Sequence, residues 1–144
     1  MNREGVMQMT DEQLRVKAAE LMGWHWERDK TYKYVTGGSV IGAWVAPKGA
    51  DYPPAFPAPT KDDIRNLPDS PNDWDAMEEL IDKAWENDFW WSSEYKTEPS
   101  SHGESEPSYS VRFRCVRGGT RGDHVCEGPS LPTANTRAFI MAMG

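Results

Sequence analysis

Two cysteines in 144 residues are too few to staple a secreted scaffold, so a reducing compartment is expected. No stretch approaches the ~18 apolar residues that cross a bilayer. The opening Met-Asn-Arg-Glu-Gly-Val-Met-Gln-Met lacks the apolar centre of a signal peptide. A cytoplasmic protein without membrane association follows. Basic residues are short as well, 16 Lys and Arg against 23 Asp and Glu, for a net charge of −7. That balance repels phosphate backbones at long range, so nucleic acid is an unfavoured partner. Catalytic signatures are missing too: there is no Gly-x-Ser-x-Gly elbow, Gly-rich phosphate loop or His-Glu-x-x-His pair. An enzyme, a resident metal and a cofactor are therefore not expected.

What is present is a chain that can fold. Its 38% hydrophobic and 11% aromatic content, with 27% charged residues, suits one domain over residues 1–144. Thr10-Asp-Glu-Gln13 matches the capping box, and Leu14, Ala18, Leu21 and Met22 recur at helical spacing until Gly23. This predicts a first helix over residues 10–22. Aromatic and β-branched residues from Trp24 to Val45, divided by Gly37-Gly38, predict short strands. Residues 46–60 are proline-rich, short of donors for a sheet interior and of freedom for a helix, and read as an extended wrapping segment. A short helical turn is expected over residues 61–66.

Pro68 and Pro71 forbid an earlier start to the next helix, while Asn72 or Asp73 can cap it, so a helix is predicted from Asn72 to about Asn87. Its apolar stripe is read as Trp74, Met77, Leu80, Ile81, Ala84 and Trp85. Alternation then predicts a strand over residues 89–95, a flexible polar loop over 96–108, and a strand whose Tyr109, Val111, Phe113 and Cys115 form an apolar face and whose Arg112 and Arg114 lie on the other. Gly118-Gly119 turns the chain toward a partner strand near residues 123–127, and Ser130-Leu-Pro132 opens a last helix. The expected fold is α+β, a twisted antiparallel sheet packed with about three helices, with the proline-rich segment wrapped around it.

Residues 67–81, Leu-Pro-Asp-Ser-Pro-Asn-Asp-Trp-Asp-Ala-Met-Glu-Glu-Leu-Ile, together with residues 14–24, Leu-Arg-Val-Lys-Ala-Ala-Glu-Leu-Met-Gly-Trp, resemble the phage ABA sandwich domain family of small tailed-phage and prophage proteins. Trp74 departs from the family's usual smaller aliphatic, as does the serine-rich loop. The resemblance implies an α/β sandwich made in the host cytoplasm and brings no catalytic residues with it. It also implies a non-enzymatic role such as counter-defence, in which the protein masks a host defence protein or sequesters a nucleotide signal. Alternatives are a structural or accessory phage protein without ligand, and an RNA-binding module. The order helix, three strands, helix from Asn72 onward is similar to double-stranded-RNA-binding domains, although the lysines those domains place before the last helix are absent from Gly128-Pro-Ser-Leu-Pro-Thr-Ala134.

Three groups of residues are candidate sites. Arg112, Arg114, Arg117 and Arg121 gather on one hairpin, where they can hold a phosphate or pair with the abundant carboxylates. Trp90 and Trp91 point to opposite faces of a strand, so one of them can enter a ligand pocket or interface unless the helices cover one face and the wrap the other. Glu78, Glu79 and Asp82 offer an acidic face to a protein partner. Cys115 and Cys126 lie equally far from Thr120-Arg121 and can face one another across the hairpin, as a pair or as packed thiols. Seven tryptophans also leave apolar surface for a second copy, so a homo-oligomer is a further expectation.

Overall fold

The computed structural model describes residues 2–33, 39–49, 52–53, 55–58, 60–99, 105–115 and 122–144. The elements run α1 (Arg3–Met7), α2 (Asp11–Leu21), β1 (His25–Lys33), β2 (Ser39–Val45), β3 (Ala55–Pro57), α3 (Trp74–Glu86), β4 (Phe89–Pro99), β5 (Ser105–Cys115), β6 (Asp123–Gly128) and α4 (Leu131–Met143). The chain is α+β, as its periodicities predict. The strands divide between two three-stranded antiparallel sheets, β1-β2-β3 and β4-β5-β6, instead of joining one. Among the described residues no helix is long and apolar enough to cross a membrane. Contacts gather the chain into two compact units, Met1–Ala18 with Pro68–Gly144, and Ala19–Leu67.

In the unit formed by Ala19–Leu67, the end of α2 is closed by a Schellman motif. The Trp24 amide donates to the Ala19 carbonyl at 3.0 Å and the Gly23 amide to Glu20 at 3.1 Å. Gly23 sits at φ +106, a conformation that a residue with a Cβ rarely adopts. β1 and β2 pair with Trp26 opposite Trp44, and a Cβ on Gly42 would lie 2.5 Å from the Trp26 ring, so only glycine lets the indole lie across the strand. The proline-rich segment is more than a wrap. Its Ala55–Pro57 pairs with residues 43–45 as edge strand β3, where Pro57 is tolerated because one side of an edge strand needs no donor. Phe56 from that strand stacks on Trp24 at 5.7 Å. The helical turn expected over 61–66 is replaced by two separate turns, closed by Asp63 N–H to the Thr60 carbonyl and Leu67 N–H to the Ile64 carbonyl.

In the other unit, the capping box of α2 forms as expected: the Thr10 amide donates to Gln13 Oε1 at 2.9 Å and the Gln13 amide to Thr10 Oγ1 at 3.2 Å. The β4-β5-β6 sheet buries Phe89, Val111, Phe113 and Cys126, with α4 packed on β5 and β6 and α3 packed on α4 and β4. The polar loop expected over 96–108 is mostly ladder. Lys96↔Ser108 through Pro99↔Ser105 are paired, leaving only residues 100–104 outside the described residues. Backbone pairing indifferent to side-chain type carries the strands through a serine- and proline-rich sequence that reads as a loop. The two cysteines do not face each other. The register sets Cys126 against Val111 and Cys115 against Phe89, and both thiols are free.

Candidate functional site

Helix α3 begins where Asp73 caps it, its carboxylate accepting from the Asp75 amide at 2.9 Å. Its inward face is Ala76, Met77, Leu80 and Ala84, all buried. Two alanines on that face let the helix approach its neighbours closely. The stripe read from the sequence is therefore rotated: Trp74 and Trp85, expected inside, are 57% and 63% exposed, and Ile81 is half-buried. The helix stops at Asn87, whose Nδ2 donates to the Lys83 carbonyl at 2.9 Å, and Asp88 takes a left-handed conformation at φ 67. That tight reversal brings Trp90, at the start of β4, back beside Trp85. The two indoles stack with centroids 6.4 Å apart and planes 20° from parallel, although Trp90 too is 56% exposed.

Trp90 and Trp91 thus have opposite fates. Trp91 lies half-buried toward α4, its indole N–H donating to Asn135 Oδ1 at 2.7 Å. Trp90 instead points away from α4 and stays exposed. Cross-strand register sets Trp90 against Arg114 and Ser92 against Arg112, and all four are exposed on one face. Arg112 Nε lies 4.0 Å and Arg114 Nε 3.8 Å from the same Asp123 carboxylate, so two cations share one anion. Exposed pairs at this range are each worth about 0–1 kcal/mol and hold the arginines loosely. Arg117 and Arg121 lie outside the described residues.

The acidic candidates flank the exposed tryptophans. Glu78 and Asp82 are exposed and Glu79 half-buried, with Asp75 and Glu86 exposed at the two ends of α3. Trp74 and Trp85 are the site residues that the sequence misplaces. Their signal was available, because Met77, Leu80 and Ala84 already fill one helical stripe and two large indoles would overfill it. Asn135 was missed altogether. It is fully buried on α4, accepts from Trp91 and donates to the Met77 carbonyl at 3.5 Å, so it ties α4 to both β4 and α3.

Elsewhere in this unit, an open hollow of about 410 Å³ is lined by Asn87, Phe89, His124, Ala142 and Met143. Phe89 meets the His124 ring edge-on at 5.9 Å. Burial pushes the Cys126 thiol above its ordinary pKa, and the Sγ donates to Met7 Sδ at 3.4 Å, which makes it a packed thiol rather than a nucleophile. In the other unit, His25 pairs with Glu27 at 3.0 Å across alternate strand positions. Asp63 is held in a fork by Arg65 at 2.8 and 2.9 Å, which lowers its pKa. Among the described residues no three His, Cys, Asp or Glu side chains come together in a way that could hold a metal ion. No family model matches the chain, and no curated protein matches it either.

Proposed function

We propose that the protein is a non-enzymatic binding protein that docks on a partner protein through the face formed by α3 and the start of β4. The observation that carries this reading is the exposure of three tryptophans there, Trp74, Trp85 and Trp90, each more than half accessible. Tryptophan is costly to leave in water and is the residue type that most often anchors protein interfaces. The resemblance of residues 14–24 and 67–81 to the phage ABA sandwich domain family, and that resemblance alone, supplies the setting. In it the protein is phage-encoded, acts in the host cytoplasm and masks a host defence protein.

A second reading, sequestration of a nucleotide signal, is favoured by the register that puts Trp90 beside Arg114 on one open face. A base can stack on the indole while the arginines take phosphate. Tight sequestration, however, calls for a concave site that buries most of the ligand, whereas the Arg112 and Arg114 side chains are 52% and 69% exposed. RNA binding has the order α3-β4-β5-β6-α4 in its favour. Against it, α3 carries carboxylates where phosphates would approach, and the first turn of α4 has no basic residue.

Affinity purification from bacterial host cells decides between the readings. The wild-type chain should retain a protein that a Trp74→Ala/Trp85→Ala/Trp90→Ala variant loses and an Arg112→Ala/Arg114→Ala variant keeps. A small molecule seen by native mass spectrometry and lost with the arginines would favour the nucleotide reading instead.

A further inference from the structure

On the basis of that docking reading, we infer that the occupant of the face is a basic amphipathic helix of the partner protein, laid along α3. At 100° per residue, Trp74, Glu78, Ile81 and Trp85 fall within one narrow arc, at positions i, i+4, i+7 and i+11. With a rise of 1.5 Å per residue the ridge from Trp74 to Trp85 is about 16 Å long. That is the length of three helical turns, and the spacing is the one by which a helix reads another helix. The Trp85–Trp90 stack closes the C-terminal end of the ridge with a second indole fixed by the sheet.

Charge selects the occupant. The thirteen residues of α3 hold Asp75, Glu78, Glu79, Asp82 and Glu86 against a single basic residue, Lys83, which lies 3.9 Å from Glu86. A second copy paired through the same face by two-fold symmetry would set these carboxylates against themselves, and like charges opposed across an interface are costly. A polyanion meets the same repulsion. A helix with an apolar stripe bordered by lysine or arginine satisfies both features at once. Its stripe covers Trp74, Ile81 and Trp85, and its flanks reach Glu78 and Asp82.

The test uses two synthetic peptides of about fourteen residues with leucine at helical spacing, one filled with lysine and the other with glutamate at the remaining positions. Binding is followed by tryptophan emission, with sedimentation to report the oligomeric state of the chain. The lysine peptide is expected to bind and shift emission to the blue. Its affinity should fall at least tenfold in Trp85→Ala and in Glu78→Lys/Asp82→Lys, with circular dichroism confirming that both variants fold, and the glutamate peptide should not bind. Equal binding of the two peptides, lysine-peptide binding that survives Trp74→Ala/Trp85→Ala, or a dimer abolished by Trp85→Ala would overturn the basic-helix inference while leaving a docking face open to other partners. A monomeric chain that binds neither peptide overturns the inference, and the docking reading falls with it if the triple tryptophan variant also retains every partner of the wild type.

Discussion

Helices α3 and α4 are each thirteen residues long and belong to the same unit, yet they distribute their side chains in opposite ways. α4 turns polar residues inward: Thr133, Asn135 and Thr136 are all at most 5% exposed. Each has a partner, Thr133 Oγ1 donating to the Pro71 carbonyl at 2.9 Å and Thr136 Oγ1 to the Pro132 carbonyl at 2.8 Å, with Asn135 joined to Trp91. α3 turns its two largest apolar residues outward. Residue type alone would have assigned the reverse. Buried polar side chains that each find a partner, as Thr133, Asn135 and Thr136 do, mark a helix committed to the fold, while indoles left in water mark a helix with apolar surface left uncovered.

The largest effect that should separate the two helices comes from Phe139→Ala on α4. Phe139 is fully buried and meets Phe113 edge-on at 6.3 Å, so its truncation should cost about 3–5 kcal/mol in chemical unfolding. A cost under 1 kcal/mol would mean that α4 is not the packed element described. Next comes Asn135→Ala, which leaves the Trp91 indole N–H without its acceptor at about 1–3 kcal/mol. Asn135→Asp retains an acceptor oxygen but brings a charge into a buried site, so it should not restore full stability. The smallest effect is expected on α3. Trp74→Ala should change stability by no more than about 0.5 kcal/mol, and Trp85→Ala by less than about 1.5 kcal/mol, the upper range for a lost aromatic pair. Thermal unfolding of either variant below that of Asn135→Ala would erase the contrast between the helices.

Local chemistry was the legible part of the sequence. Thr10 with Gln13, Asp73 and Ser130 each cap the helix expected of them, because a cap is decided by two or three neighbouring residues. The alternation of Val111 and Phe113 with Arg112 and Arg114 gave the two faces of β5 correctly. What could not be read was decided at a distance. The rotation of α3 follows from which side of it meets other elements, and the length of the β4–β5 hairpin from backbone pairing that no side-chain pattern announces. Cys115 and Cys126 can oppose one another only if the hairpin is centred between Thr120 and Arg121. The observed register, with Arg114 opposite Asp123, shifts that centre toward the N-terminus. Of the candidate site, Trp90, Arg112 and Arg114 do share one face, and the part contributed by Trp74 and Trp85 came only from the packing.

The register of the second sheet also bears on how this chain tolerates change. β6 runs out at Gly128, opposite Tyr109, while β4 and β5 continue as a pair from Lys96↔Ser108 to Pro99↔Ser105. Four further residue pairs at about 3.4 Å each carry this two-stranded arm roughly 14 Å past the end of β6. Insertions or deletions beyond Pro99↔Ser105 are expected to leave untouched the registers that hold Phe113 and Val111 in place. A change of length there is thus expected to be felt less than one beside Val111 and Phe113, which are fully buried.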